Sequence, residues 1–599
     1  MPYFGIPIRN GLPIGLGSVA GFGISPFDPS SLFAAGEQGA WYDPSDFSTL
    51  FDDSAGVTPV TGVEQFVGLM LDKSKGLVLG SNISLISSAT VTTTGNTNLV
   101  SSVPATSFYQ ISFSATGLSA SDRIRIAITS PSYTGSYITV DGSYSYILPA
   151  NAAALIRINR DITSGTVDIT NVSVRELPGN HAFQTNSLKR PKLASRYNLL
   201  TYTEEFDNAA WTKSNVTVTA NAVVAPDGTT TADALFETAA NSDHGARTAA
   251  GVTVASGVSY KLSFRVKSNG RNYALIYINA PASGRYFDVT PGTAGAVLGN
   301  YTGTNLPATI TALADNWFLC EVTFTASTTS VLCETYISSA GNNLTYAGDI
   351  TKGLYLWGAD LRPASQATGL IGPTYQRVAA ATVYDTAGFL PYLAFDGLSW
   401  SMGTNSIDPG AIDKAQVFAG VRKLSDAAQG AVAEFSATIA SNNGTFLLAA
   451  PNSANDNYNF SSKGTTLVNN TIAGFAAPAT NVVTGLGDIA APTNLLRVNG
   501  IQVGVANTSQ GTGNYLTYPL FIGARNQASL FFNGWLTSLI VRFGPNMTAA
   551  QIDQTEGWIE GKTFGKDMIV TYVDELLAAD NDNITAADGD QIYMTTTYT

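Results

Sequence analysis

Apolar and polar residues alternate with period two in run after run of this 599-residue chain, and that pattern restricts the fold more than any other feature. Phe108-Tyr-Gln-Ile-Ser-Phe113, Arg123-Ile-Arg-Ile-Ala-Ile128, Ala154-Leu-Ile-Arg-Ile158 and Val167-Asp-Ile-Thr-Asn-Val-Ser-Val174 are examples, separated by Gly, Ser and Asn turns. In an extended chain successive side chains point to opposite faces, so each run has one face for a core and one for water. Such strands pair antiparallel and stack as sandwiches. Only 13% of residues are charged and 57 are Gly, a profile that suits pleated surfaces and tight turns. The expected fold class is all-β: multiple antiparallel β-sandwich (jelly-roll) domains.

The runs fall into blocks. Residues 77–178 form a first sandwich module. Residues 179–196, with Pro178 before them, His181 within them and the cations Lys189, Arg190, Lys192 and Arg196, read as a solvated linker. Residues 197–363 form a second module, with runs such as Val258–Val266, Tyr273–Ile278 and Trp317–Phe324. Each module closes on a strand carrying an Arg just ahead of a Pro, Arg175 and Arg362, which suggests a weak internal repeat. A third block covers 364–565 and ends in the one clear helical signal, where Thr548 and Gln551 form a capping box and Ile552 and Ile559 share a face. The short strands of 36–76 bury little by themselves.

The ends differ from the rest. Residues 1–35 open with a stretch, Met1 to Ile24, that holds six glycines, three prolines and Arg9; it lacks the uninterrupted apolar run of a signal peptide or membrane span. It reads as an extended arm that docks on another protein. Residues 566–599 form an acidic, Thr-rich tail of no assigned role. With 31 Lys and Arg against 44 Asp and Glu the net charge is −13, which argues against nucleic acid as a partner. No membrane insertion is expected.

Material for catalysis is sparse. Glycoside hydrolysis needs two carboxylates held across a cleft, and no Glu-x-Asp-x-Glu strand occurs; Glu204-Glu205 with Asp207, and Asp52-Asp53, read as turn charges. The two histidines, His181 and His244, leave little for a Ser-His-Asp triad or a His metal site, and His244 reads as part of a surface turn. Cys320 and Cys333 read as buried thiols. Gly15-Leu-Gly17 lacks the strand and helix of a dinucleotide loop, and Asp580 to Asp590 lacks the spacing of a calcium loop. No catalytic residue, metal ligand or cofactor is assigned; structural calcium in the third block is left open with no ligands named. Sugar recognition needs aromatic rings and flanking polar groups. Tyr273, Tyr277 and Tyr286 with Arg271 and Arg285 are the best such group, whereas Trp211, Trp317 and Trp357 read as core.

Several motifs carry a resemblance. Tyr392-Leu-Ala-Phe-Asp-Gly397, Arg497-Val-Asn-Gly500, Phe521-Ile-Gly523, Asn533-Gly-Trp535 and the closing helix resemble the laminin-G or concanavalin-like jelly roll of tailed-phage and prophage structural proteins. Trp41-Tyr-Asp-Pro-Ser-Asp46, Asp72-Lys-Ser74 and Gly179-Asn-His-Ala182 are similar to the opening motifs of that domain, here spread over a long interval. The resemblance thus implies one domain interrupted by two inserted modules and resumed at Tyr392. Asn198-Leu-Leu-Thr-Tyr-Thr-Glu-Glu-Phe-Asp-Asn-Ala-Ala-Trp211 is similar to the start of carbohydrate-binding sandwiches in phage tail proteins. What the resemblance implies is a non-enzymatic virion protein: a tail fibre or receptor-binding protein, homotrimeric, held to other virion proteins by the arm and facing host-surface glycan. The alternatives are a head fibre or decoration protein of the capsid and a polysaccharide-degrading tail spike.

Overall fold

The computed structural model describes residues 27–565, apart from 35, 93–94, 163–164, 367–370 and 492. The expectations for the segment before residue 27 and the tail after 565 lie outside the described residues. The strands pair antiparallel throughout the named sheets, and three sandwiches result.

The largest sandwich is assembled from three separate stretches of chain. Its strand Asn533–Phe543 carries Gln38–Tyr42 along one half of an edge, with Gln38 opposite Phe543 and Tyr42 opposite Leu539. Tyr392–Asp396 lies along the other half, with Leu393 opposite Leu536, and Lys414–Lys423 covers the far edge. The eight-stranded sheet so formed continues through Ala479–Asp488, Thr493–Val498 and Ile501–Ala506. Facing it is a nine-stranded sheet that begins Leu50–Phe51, Leu69–Met70, Ala182–Phe183, Met402–Ile407 and Tyr518–Ile522. Tyr42, Leu50, Met70, Ala182, Leu193, Leu393, Phe435, Phe446 and Phe543 are buried between the sheets, so the core draws on all three stretches. Each large apolar side chain buried there contributes roughly 1.5–3 kcal/mol.

The helix Ala549–Phe564 is capped as the sequence indicates: the Thr548 side chain accepts from Gln551 N–H and Gln551 reaches back to Thr548. Ile559 packs on Phe418, Val482 and Ile540, the outer face of the eight-stranded sheet, beside Leu32 and Trp41. Residues 27–33, expected as the end of the extended arm, are instead seated on the sandwich, and Arg542 Nε donates to the Leu32 carbonyl at 2.8 Å. Among the described residues no helix is long and apolar enough to cross a membrane.

The stretch 179–196 is not a linker. It supplies Ala182–Phe183 to the nine-stranded sheet and Lys192–Ala194 to the edge of the eight-stranded one. Three of its four cations are engaged: Lys192 pairs with Glu64 at 3.2 Å, Arg190 with Asp52 at 3.7 Å, and Arg196 donates to the carbonyls of Asn198, Leu199 and Leu200. This arrangement explains how two modules fit inside one core. Leu69–Met70 pairs with Ala182–Phe183, and module 1 occupies the connection between them. Lys192–Ala194 pairs with Tyr392–Asp396, and module 2 occupies that connection. Each inserted sandwich thus leaves and re-enters the large one through neighbouring antiparallel strands, which leaves the hairpin geometry intact.

Module 1 packs two four-stranded sheets over a core that includes Ile111, Phe113, Ile126, Ile158 and Val174. Module 2 packs two six-stranded sheets over Trp211, Phe264, Ile276, Phe318 and Leu356. The closing strands, Val167–Leu177 and Gly353–Pro363, each lie inside a sheet, between an early strand and a long middle one.

Candidate functional site

The outer face of one module 2 sheet gathers the tyrosines. In strand Tyr273–Ile278, Ala274, Ile276 and Ile278 point into the core, so Tyr273, Leu275 and Tyr277 point outward. Leu275 is directly opposite Tyr286 on Ser283–Asp288 and directly opposite Tyr336 on Cys333–Ser338. Residues paired across antiparallel strands share a face. Leu275 is therefore ringed by four tyrosines: two along its own strand and one on each neighbour.

Two glycines make room for the rings. A Cβ on Gly245 would stand 2.5 Å from Cδ1 of Tyr336, and one on Gly284 would stand 3.1 Å from Cδ2 of Tyr277. Tyr336 and Tyr277 thus lie across neighbouring strands instead of rising from the sheet. Tyr301 stands almost perpendicular to both Tyr277 and Tyr286, with ring centroids 5.7 and 5.9 Å away, and is 39% exposed. Its backbone N–H donates to the Gly284 carbonyl at 2.9 Å, which fixes this wall at one end of the platform. The hydroxyls of Tyr273, Tyr277, Tyr286 and Tyr301 have no hydrogen-bond partner among the described residues.

A carboxylate and a cation border the rings. Glu334 is opposite Tyr277, and Arg247 is opposite Glu334. The Tyr336 hydroxyl donates to Glu334 Oε2 at 2.5 Å. Burial raises the Glu334 pKa, and the Tyr336 hydroxyl and Arg247 only partly offset it. The Tyr286 hydroxyl is pushed up to about 12, by burial first and then by Tyr301. The face is a platform of neutral phenols with one buried acceptor group beside it.

Of the five residues singled out in the sequence, the structure brings together Tyr273, Tyr277 and Tyr286. It sets the arginines elsewhere. Arg271 forms a bidentate pair with buried Glu237 at 2.7 and 2.8 Å, and Tyr346 donates to the same carboxylate. Arg285 alternates away from Tyr286 and bonds Asn305 and the carbonyls of Leu298 and Leu306. Sequence reading missed Tyr336, Glu334 and Arg247. The alternation of Cys333-Glu-Thr-Tyr-Ile-Ser338 was available as a signal, but not its pairing with Tyr273–Ile278.

Other sequence candidates have structural work. His244 is not in a surface turn: it is buried in strand His244–Thr248, with its ring nitrogens on the carbonyls of Asn215 at 2.8 Å and Tyr346 at 3.3 Å. Asp53 accepts backbone N–H bonds from Ala55, Val57 and Thr58, and Glu204 accepts from the Tyr375 hydroxyl. Trp211 and Trp317 are buried, and each indole N–H donates to a carbonyl, of Tyr202 and Val224. Among the described residues no cluster of three or more His, Cys, Asp or Glu is placed to hold a metal ion.

A cavity of about 820 Å³ separates module 2 from the large sandwich, lined by Tyr392, Trp400 and Trp535 on one side and Thr201, Ala210 and Gly251 on the other. Tyr392 stacks on Trp535 with centroids 3.9 Å apart. The Asp396 carboxylate accepts N–H bonds from Leu398, Ser399 and Trp400, which orients Trp400.

No protein-family model and no curated protein matches the chain. Among solved structures, it is similar to the receptor-binding domain of botulinum neurotoxin mosaic serotype C/D, at 11% identity and TM-score 0.23, over 28% of this chain and 41% of that one. It is also similar to the Ruminococcus gnavus IT-sialidase CBM40 bound to α2,3-sialyllactose, at 14% identity and TM-score 0.20, over 26% of this chain and 94% of that one. A third likeness is to domains LG4-5 of the mouse laminin α1 chain, at 13% identity and TM-score 0.22, over 48% of this chain and 83% of that one. The assignment of an all-β architecture built of antiparallel sandwiches rests on the chain's own strand pairing.

Proposed function

We propose that the protein binds glycans through the tyrosine face of module 2 and performs no covalent chemistry on them. The observation that carries this reading is the ring of four tyrosines around Leu275, walled by Tyr301. Aromatic faces cover the apolar side of a pyranose, and unpaired phenol hydroxyls with Glu334 and Arg247 at the border serve its hydroxyl groups. In this reading the protein is a virion component, a homotrimeric tail fibre or receptor-binding protein that attaches to other virion proteins through the part of the 1–35 arm ahead of residue 27 and to host-surface glycan through its sandwiches. Glycan-array screening of the intact chain tests recognition, and antibody labelling of virions tests location. Retention on at least one saccharide and label on the tail are expected. An array without a single retained saccharide overturns the binding role; label confined to the capsid overturns the tail assignment in favour of a head fibre. Release of reducing ends from a bound polysaccharide overturns the non-enzymatic reading.

A further inference from the structure

Module 1 carries a face on which Arg123 is paired with a carboxylate and two further arginines, Arg125 and Arg157, are not. In the sheet of Gly95–Val100, Ile156–Asp161, Arg123–Thr129 and Ser132–Thr134, residues Ile124, Ile126, Ile128, Ile156 and Ile158 point into the core. Arg123, Arg125, Arg157, Asn159 and Asp161 therefore share the opposite face. Register sets Asp161 opposite Arg123 and Asn159 opposite Arg125, while Arg157 faces the small side chain of Ala127. Asp161 pairs with Arg123, whose Nε and Nη2 both donate to Oδ2 at 3.0 and 2.8 Å. Arg125 and Arg157 have no carboxylate partner and no hydrogen bond among the described residues. Nε of each, and Oδ1 of Asn159 beside them, is buried without a partner.

Buried donors on charged groups are seldom left unpaired in native proteins, and here two occur side by side with an unpaired amide. The chain has acids to spare, 44 Asp and Glu against 31 Lys and Arg, so their absence opposite these two arginines is specific to the position. Arg125 and Arg157 are diagonal neighbours across the strand pair, within reach of a common group. Tyr137, 40% exposed, lies under the guanidinium groups of both Arg123 and Arg125 at 4.0 and 4.6 Å. The ring orients the cations and leaves an apolar surface beside them.

We propose that this face is a second saccharide site, which takes an acidic sugar residue: its carboxylate binds between Arg125 and Arg157, and its ring lies at the edge of Tyr137. The proposal shares with the preceding section only the premise that the chain binds glycans, since it uses another module and another chemistry. Planar guanidinium forks match a carboxylate bidentately.

Calorimetric titration of the intact chain with oligogalacturonate tests it, with the methyl-esterified oligomer and a single-stranded DNA oligonucleotide of equal charge as comparison probes. Oligogalacturonate is expected to bind in a salt-sensitive manner, the ester and the oligonucleotide far more weakly. In the Arg125→Gln, Arg157→Gln double variant the affinity should fall at least about tenfold. The Arg125→Lys, Arg157→Lys pair should retain an intermediate affinity, which separates loss of the fork from loss of the fold. The Tyr277→Ala, Tyr336→Ala pair separates the two sites: oligogalacturonate binding that is lost in this pair and kept in the Gln variant belongs to the tyrosine face and overturns the proposal. Equal affinity in the Gln variant, equal affinity for the ester, no binding of oligogalacturonate, or tighter binding of the oligonucleotide each overturns the proposal.

Discussion

The backbone N–H of Asp72 donates to Nδ1 of His181 at 2.9 Å, and this bond closes the root of module 1 across 109 residues of chain. Because Nδ1 accepts, the ring proton sits on Nε2, which donates to the Leu177 carbonyl at 3.2 Å. Burial lowers the His181 pKa to about 4, with the Leu177 carbonyl pulling weakly the other way. An unfolded histidine titrates near about 6.5, so between those values the unfolded chain binds more protons and stability falls as pH drops. The difference corresponds to about 3 kcal/mol, present above pH ~6.5 and lost on approach to pH ~4. Asp72 acts in the opposite sense: burial raises its pKa against the N–H donors of Asn180, Trp41 and Ser74, so its proton uptake favours the folded chain in acid. His181→Gln keeps an acceptor and a donor but removes the titration. Its melting temperature should change less between pH 7 and pH 4.5 than that of the parent; equal pH dependence would show that His181 is not the titrating group.

At the root of module 2 one amide holds four backbone groups. Asn198 donates to the carbonyls of Ala359 and Gln376 at 2.9 Å each and accepts from the N–H groups of Leu200 and Leu361. Asn198→Ala leaves these buried groups unpaired and should cost about 3 kcal/mol, visible as a lower melting temperature. Asn198→Asp keeps only the acceptors and should also destabilise. A melting temperature unchanged in the Ala variant would contradict this role.

Local features of the sequence read well, and the pairing of distant side chains did not. Period-two alternation exposed the strands and hence the all-β class, and Thr548 with Gln551 exposed the helix start, because both signals lie within a few residues. The hairpin Tyr273 to Asp288 is equally local, which is why three tyrosines of the platform were legible. Tyr336 joins them from a strand some sixty residues further on, and no local rule pairs it with Leu275. Arg271 and Arg285 looked available because Glu237 and Asn305, which occupy them, lie 34 and 20 residues away. The strands inside 179–196 are only two and three residues long and sit among cations and a proline. Only the edges they pair with reveal them.

Cys320 and Cys333 are free, buried, and on different sheets of module 2. Burial pushes both thiol pKa values well above the usual range, with Glu321 and Glu334 adding to the effect. Thiolate is the reactive form, so neither should react with a disulfide reagent at pH 8 until the protein is unfolded in denaturant. Prompt labelling of the native protein would contradict the burial.

The large sandwich should not survive subdivision. A fragment of residues 372–565 lacks Gln38–Tyr42, Ala182–Phe183 and Lys192–Ala194, and so exposes edges of both sheets. It is expected to melt without cooperativity or to aggregate. A soluble fragment with a sharp thermal transition would mean that the 372–565 portion is a domain by itself and the earlier strands are accessories.

The most direct measurement is the affinity of the intact Tyr277→Ala, Tyr336→Ala variant for whichever neutral saccharide the parent retains on an array. Tyr336 is the hydroxyl partner of buried Glu334 and both rings cover Leu275, so some stability is lost and a cooperative thermal transition is required of the variant before its affinity is read. Affinity for that saccharide should fall by about 1–3 kcal/mol, roughly 5- to 150-fold, as expected for lost aromatic stacking and its hydrogen bonds. Unchanged affinity in a folded variant would contradict the tyrosine platform as the binding site.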